Sequence, residues 1–253
     1  MSEPSDSTDP GAPSKHPRSA EPFESAEPSE SAEPSWTTET PGSSETVEAA
    51  PVRDPVDRTR RTYETIAEDY HERTRDERGL LPIMDRFLDR LPPTSVVLDA
   101  GCGTGREARF LGDREARAVG LDFSGEQLRV AADHAPDARL VQGDRRTLPL
   151  ADGSVDGVWA CASLLHLTRG DLPGSLGELS RVLRPGGTTF CSLKRGDEAA
   201  VTHAHDIEGG RYVVRYQPEP FGEMLREAGV AVDELDGSDD WFHAVARRPE
   251  ADL

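Results

Sequence analysis

The sequence predicts an α/β fold in three layers: a seven-stranded, mostly parallel sheet, antiparallel only in its last strand, with helices packed on both faces. Three observations lead there. From about residue 58, short apolar runs alternate with stretches whose apolar residues recur at helical spacing, which is the rhythm of βα units. The first of those runs passes straight into the glycine turn Gly101-Cys102-Gly103-Thr104-Gly105. Near the C-terminus two apolar runs are separated only by Asp236 to Asp240. A link so short cannot carry a parallel crossover, so the final strand runs antiparallel.

Taken in order, Arg58 to Leu91 carries Tyr63, Ile66 and Tyr70 at helical spacing and predicts one or two helices, stopped by Pro92-Pro93. Val96 to Ala100 is a buried strand, Arg106 to Asp113 a helix and Arg117 to Asp122 a second strand, together one βαβ unit. A helix over Gly125 to His134 and strands over Arg139 to Gln142 and Val155 to Cys161 follow. Their short apolar runs are those of parallel strands covered on both faces. Leu172, Leu176, Leu179 and Leu183 lie along one helical face, Pro185-Gly186-Gly187 ends that helix, and Thr188 to Leu193 is the fifth strand. A polar stretch, Arg195 to Tyr216, has no readable periodicity. Beyond it come a helix over Pro218 to Gly229 and strands over Val230 to Leu235 and Trp241 to Arg247.

Residues 1–57 differ from the rest. They hold 13 acidic against 3 basic residues and almost no large apolar side chains, too little to offset the entropy of ordering them. Ser-Ala-Glu-Pro recurs at Ser19, Ser25 and Ser31, a period too short for a solenoid repeat. The expected organisation is a disordered acidic tail over 1–57 and one domain over 58–253. A docking arm anchored by Phe23 and Trp36 is the alternative reading of the tail.

The whole chain has a formal charge of −19, and lysine occurs only at Lys15 and Lys194. Such a charge repels polyanions, so nucleic acid is not an expected partner. The same excess fits a chain adapted to high salt, where screening weakens acidic repulsion. No run approaches the length of a bilayer span and no leader-like apolar segment follows the N-terminus, so a cytoplasmic protein without a membrane span is expected. Cys102, Cys161 and Cys191 have no C-x-x-C spacing, which suggests neither a disulfide framework nor a zinc site. His203-Ala204-His205-Asp206 is read as a solvated loop, and no metal is expected.

In an open parallel sheet the ligand sits beyond the carboxyl ends of the strands. Gly101, Gly103 and Gly105 let the backbone turn tightly there and approach a ligand. A dinucleotide fingerprint would need a small residue where this chain has Arg106, which strains a pyrophosphate reading. Asp122, ending the second strand, is placed to accept hydrogen bonds from both hydroxyls of a ribose.

Val97-Leu98-Asp99-Ala100-Gly101-Cys102-Gly103-Thr104-Gly105 resembles motif I of the class I S-adenosylmethionine (SAM)-dependent methyltransferases, including the Asp before the loop. Leu121-Asp122-Phe123-Ser124 resembles their ribose-binding segment, Gly143-Asp144 their adenine-contacting acid, and Leu183-Arg184-Pro185-Gly186-Gly187 the corner before their fifth strand. The resemblance spans roughly residues 60–248 and is nearest to small-molecule methyltransferases of the ubiquinone-biosynthesis-like group. It implies a Rossmann-like fold, SAM as the cofactor and a small-molecule methyl acceptor, with S-adenosylhomocysteine released.

By that resemblance Gly101, Cys102 and Gly103 contact the methionine part of SAM, in a motif that Asp99 and Gly105 complete. Asp122 holds the ribose, Phe123 one face of the adenine, and Asp144 with the Arg145 amide the adenine edge. Cys161 lines the methionine pocket, and Tyr63 and Tyr70 close over the cofactor. Each has a bland alternative: core packing for Phe123 and the tyrosines, a turn cap for Asp144, a small buried side chain for Cys161. A hydroxyl acceptor would have to lose a proton, and His166, just past the fourth strand, is where a general base could stand. Ala160-Cys161-Ala162-Ser163 departs from the Asn/Asp-Pro-Pro-Tyr/Phe of many amino-group methyltransferases, and no Pro precedes Cys161 as it does the nucleophile of cytosine-C5 enzymes. Two other function classes stand beside this reading: a SAM-binding regulator without turnover, and an NAD-dependent oxidoreductase, which the missing fingerprint glycine disfavours.

Overall fold

Pro55 opens the first helix because Asp54 caps it: the Asp54 carboxylate accepts the N–H groups of Val56 at 2.9 Å and Asp57 at 3.4 Å. The structure, a computed structural model, describes residues 54–202 and 210–250. Residues 1–53, most of the stretch expected to be a tail, and His203 to Asp206 lie outside the described residues. Helix α1 (Pro55–Thr65) begins three residues before the expected Arg58, and its Val56 is buried in the core. The expected one or two helices are three. At Ile66 the backbone leaves helical geometry (φ −108, ψ 11) before α2 (Ala67–Thr74), and a turn through Gly79 precedes α3 (Leu81–Leu88).

Then come β1 (Val96–Ala100), α4 (Arg106–Gly112), β2 (Arg117–Asp122), α5 (Gly125–His134), β3 (Arg139–Gln142) and β4 (Val155–Cys161). A 3-10 turn at Leu164–His166 leads to α6 (Leu172–Val182), β5 (Leu183–Lys194), β6 (Ala199–Thr202), β7 (Arg211–Val214), α7 (Pro218–Glu227), β8 (Ala231–Gly237) and β9 (Trp241–Arg247). The main sheet has seven strands in the order β3-β2-β1-β4-β5-β9-β8, and β9 alone runs antiparallel to its neighbours. Fold class and final strand direction agree with the sequence reading.

Two differences have local causes. The fifth strand begins at Leu183, not Thr188: Leu183 already pairs with Val155, and the Pro-Gly-Gly segment is absorbed as a register shift between Val155 and Gly157. The stretch without periodicity contains an antiparallel hairpin, Ala199 pairing with Val214 and Thr202 with Arg211. Four-residue strands are too short for an alternation to stand out.

The sheet is buried on both sides because successive strand residues point to opposite faces. Val97, Trp159 and Phe190 join Met84 and Phe87 of α3 and Phe110 and Leu111 of α4 on one side. Leu98, Val158 and Ala160 join Leu176 and Leu179 of α6 and Phe221 and Leu225 of α7 on the other. Each such side chain contributes about 1.5–3 kcal/mol by leaving water. The indole of Trp159 stacks on Phe190 with ring centroids 3.9 Å apart. Strand order reverses between β1 and β4, so the carboxyl ends of β2, β1 and β4 open together into one crevice. Among the described residues no helix is long and apolar enough to cross a membrane.

Candidate active site

The crevice floor is made by the turn after β1. Gly101, Gly103 and Gly105 all have positive φ, +96°, +52° and +86°, a region costly for other residues. The N–H groups of Gly101 and Cys102 donate to the carbonyl of Leu121 at 2.7 and 3.0 Å, which ties the turn to β2. Asp122 continues the link, one carboxylate oxygen accepting the Gly103 N–H at 3.0 Å and the other the Ser124 N–H at 2.9 Å. Burial pushes the Asp122 carboxyl upward, against the pull of Arg145 and of the surrounding amides.

Tyr63, Tyr70, Gly101, Cys102 and Gly103 line one pocket, and Asp122, Phe123, Arg145, Cys161 and His166 line it too. Ten of the residues singled out in the sequence thus face one space. Asp144 does not: it lies in an adjoining pocket with Phe123 and Arg146, where the N–H of Arg146 donates to it at 2.9 Å and its guanidinium at 2.6 Å. Partial burial raises its pKa, but these bonds to Arg146 outweigh it and hold the carboxyl below its usual range. Asp99 and Gly105 line neither pocket. Gly105 begins α4 and packs against Ala131 and Ala135. Asp99 is buried beneath the turn, one oxygen without a hydrogen-bond partner, and its carboxyl is driven far up by burial and then by Glu107 and Asp122.

His166 stands at the opposite wall. Its Nδ1 lies 2.7 Å from the carbonyl oxygen of Tyr212 and its Nε2 3.1 Å from the Tyr63 hydroxyl, which also accepts from Nη1 of Arg211 at 2.9 Å. Burial lowers the His166 pKa to about 3, with Arg211 and Arg145 pushing the same way and the Tyr212 carbonyl opposing. The β6–β7 hairpin carries Arg211 and Tyr212 to this wall. It is held to α1 by the Thr59 hydroxyl, which accepts the Tyr212 N–H at 2.9 Å, and by the Thr62 hydroxyl, which donates to the Gly210 carbonyl at 3.0 Å.

Cys161 is a neutral thiol, pushed up to about 12 by burial, and accepts from the Ser192 hydroxyl at 3.4 Å. It is not an activated nucleophile. Among the described residues one group of potential metal ligands occurs, Glu234, Asp236 and His243. It belongs to β8 and β9, not to this pocket.

Several wall residues escaped the sequence reading. Arg106 and Glu107 face the pocket from the first turn of α4 and Gln127 from α5, its side chain donating to the Tyr63 carbonyl at 3.0 Å. The hydroxyl of Ser163 donates to the Ala100 carbonyl at 2.5 Å. Their positions, just after the glycine turn, three after the Ser124 cap and two after the end of β4, were a usable signal. Arg211 and Tyr212 had none.

The pocket fits SAM on two observations. A Cβ added at Gly103 would meet nothing nearer than 3.5 Å, the side chain of Gln127, so that backbone faces open pocket space that a side chain would fill. Asp122 keeps lone pairs beyond those used by the two amides, and a vicinal diol can donate to them. Comparisons agree. Residues 97–187 match the family model described as a methyltransferase domain. The malonyl-acyl-carrier-protein O-methyltransferase of Pectobacterium atrosepticum is 39% identical over 140 residues, which are 53% of this chain and 54% of that protein. This chain thus matches about half the length of that relative. The enzyme of the same name from Dechloromonas aromatica is 33% identical over 191 residues, 74% of this chain and 70% of the relative. Among solved structures, the 1,6-didemethyltoxoflavin-N1-methyltransferase of Burkholderia thailandensis, with bound S-adenosylhomocysteine, superposes with a TM-score of 0.65 at 20% identity, covering 80% of this chain and 93% of that one. Identity of 33% sustained over more than two thirds of a methyltransferase exceeds a likeness of fold alone, and this chain belongs to the class I SAM-dependent methyltransferase family.

Proposed function

We propose that the protein transfers a methyl group from SAM to a small-molecule acceptor in the cytoplasm, releasing S-adenosylhomocysteine. The observation that carries this reading is the Asp122 carboxylate, locked by the amides of Gly103 and Ser124 at the edge of the glycine turn. Preorganised in this way, it receives the ribose hydroxyls without reorganising. Phe123 offers a ring face to the base, Gly103 leaves room for the amino-acid end, and Tyr63 and Tyr70, ring centroids 5.4 Å apart, cover the pocket and exclude water. SAM supplies, when bound, a methyl group on a positively charged sulfur. Displacement there removes charge, so alignment in a dry pocket contributes much of the rate.

His166 is a positioning group in this reading, because a histidine with a pKa of about 3 stays neutral near pH 7 and is a feeble base. A small acceptor is favoured over a polymer because Tyr63 of α1, Tyr70 and Thr74 of α2 and His166 of the 3-10 turn wall the pocket. The charge of −19 further disfavours nucleic acid.

Calorimetric titration with SAM and S-adenosylhomocysteine tests the reading. Wild type is expected to bind both, and Asp122→Ala to lose on the order of 2 kcal/mol, the value of charge-assisted hydrogen bonds. A folded wild-type protein that binds neither ligand overturns it.

A further inference from the structure

His71 of α2 and His134 in the last turn of α5 stack on one another outside the pocket. Their rings are nearly parallel, 16° apart in plane, with centroids 3.7 Å apart. His71 is 4% exposed, and neither of its ring nitrogens has a hydrogen-bond partner among the described residues. Neither histidine lines the pocket, but α2 also carries Tyr70 and Thr74, which do. This helix is only eight residues long, and the chain leaves helical geometry at Ile66 just before it, which frees its movement from that of α1. Besides the stack, α2 is joined to α5 by the ion pair of Glu68 with Arg129, whose side chains are 65% and 53% exposed. A pair so open to water holds weakly.

One proton on the stacked pair leaves a cation facing a neutral ring, which an aromatic face tolerates. A second proton sets two cations face to face with His71 shielded from water. Burial lowers the His71 pKa and His134 pushes it the same way, Glu72 and Glu68 pull it up, and Arg75 pushes it down. Both glutamates already have cations, Glu72 in Arg75 at 2.7 Å and Glu68 in Arg129 at 2.6 Å. The neighbouring elements bring no spare carboxylate either. On α5, Glu126 shares Arg129 and Asp133 is exposed; on α1, Glu64 is paired with Arg60; from α4, Arg106 reaches the end of α2 but is held by Glu77 and Glu107. The neutral stack therefore contributes fully above the ordinary histidine value of 6.5, and that contribution is lost as the pH falls through the lowered one.

We propose that the His71–His134 stack is an acid-sensitive latch on the SAM site: when both rings are charged, α2 parts from α5 and withdraws Tyr70 and Thr74 from the pocket wall. The proposal rests on the methyl-transfer reading above. Protonation of the pair and cofactor binding then oppose each other, and linkage makes the opposition mutual. Acid weakens binding, and a bound ligand, by holding α2 in place, makes the second proton harder to add. His166 takes no part, because with a pKa of about 3 it stays neutral through the range in which the stack charges.

The test uses the full chain as wild type, His71→Phe and His134→Phe, whose rings preserve a stack but take no proton. Calorimetry with S-adenosylhomocysteine is run from about pH 8 to about pH 5, the span in which an ordinary histidine titrates. All three proteins are expected to bind alike at about pH 8. On acidification wild type is expected to lose affinity by about tenfold or more, and both variants clearly less. Proton NMR of the imidazole C–H groups, assigned by their disappearance in each variant, gives a readout that packing alone does not move. The pair is expected to take its protons in two steps, the second below 6.5 and lower still with S-adenosylhomocysteine bound. Wild type failing to bind S-adenosylhomocysteine at about pH 8 overturns the methyl-transfer reading and this proposal with it. Binding there with the same pH dependence in all three proteins overturns the latch alone. So do two imidazoles that titrate independently near 6.5, or a second step that the ligand leaves unmoved.

Discussion

The hydroxyl of Tyr63 bridges three elements: it lies 3.1 Å from Nε2 of His166 in the 3-10 turn and 2.9 Å from Nη1 of Arg211 at the start of β7, while its own backbone belongs to α1. Because a carbonyl oxygen only accepts, Nδ1 of His166 carries the proton that goes to Tyr212, which leaves Nε2 as acceptor and Tyr63 as donor. Tyr63→Phe strips a buried acceptor and a guanidinium of one shared partner, at a cost of about 1–3 kcal/mol in urea unfolding. In a double-mutant cycle with His166→Ala the two losses should fall short of additivity by at least about 0.5 kcal/mol. Strict additivity would mean that the two side chains do not cooperate in solution.

The pH dependence of stability has a sign that His166 sets. Its folded pKa, about 3, lies below the ordinary histidine value of 6.5, so the native state releases a proton that the unfolded chain keeps. Its contribution is fully present above pH 6.5 and is lost as the pH falls toward 3, each pKa unit being worth about 1.4 kcal/mol. His166→Gln lacks this titration. The stability advantage of wild type over the variant is therefore expected to shrink steadily from neutral pH to about pH 4, read by chemical denaturation at each pH. A constant difference across that window would place the imidazole in water.

Two glycines of the turn should fail differently. A Cβ on Gly101 would stand 2.5 Å from Cβ of Ser163, a collision between the segments that follow β1 and β4, and at a φ of +96°. One on Gly103 would meet only Gln127 at 3.5 Å and Tyr70 at 3.9 Å, though at a φ of +52°. Gly103→Ala is expected to cost about 1–2 kcal/mol of stability and to weaken S-adenosylhomocysteine binding further by filling the pocket. Gly101→Ala should lose substantially more stability. Thermal melts with and without the ligand separate the two, and equal ligand-induced shifts in wild type and Gly103→Ala would count against the pocket assignment.

The parts of this chain that could be read in advance are those where one local rule dominates. Val96 to Ala100 is a short, mostly apolar run that meets a glycine turn, so strand, turn and ligand edge follow together. The antiparallel β9 follows from the length of a single turn. What could not be read depends on distant partners. Arg145 was expected to contribute its backbone amide, yet its side chain enters the pocket, because no local pattern tells which way a long side chain folds over Phe123. Arg211 and Tyr212 reach the site only because the hairpin is pinned to Thr59 and Thr62 of α1, roughly 150 residues earlier. The resemblance puts Asp144 at the adenine edge with a turn cap as the alternative, and in the structure its carboxylate accepts the Arg146 N–H and guanidinium. Charge patterns between adjacent residues are visible in a sequence, whereas the rotamer that completes them is not.

Arg106 governs the acidic side of the pocket. Its guanidinium donates to the Thr74 carbonyl at 3.0 Å and pairs with Glu77 at 2.6 Å and with Glu107, joining the end of α2 to the first turn of α4. It also opposes the forces that push Asp99 upward. Arg106→Met removes the cation but keeps the bulk, leaving Glu107 and Asp99 facing each other under the glycine turn. Breaking a buried pair from one side costs about 3–5 kcal/mol. A carboxyl whose folded pKa is raised destabilises the fold above that pKa, and the penalty is relieved as the pH falls toward the unfolded value of 3.8. The deficit of Arg106→Met relative to wild type is therefore expected to narrow on acidification, the same direction as the shrinking advantage over His166→Gln. Arg106→Lys, which keeps one charge without the fork, should recover part of the loss at neutral pH. If the deficit of Arg106→Met widens in acid, the cation is not what restrains Asp99, and its role is confined to joining α2 to α4.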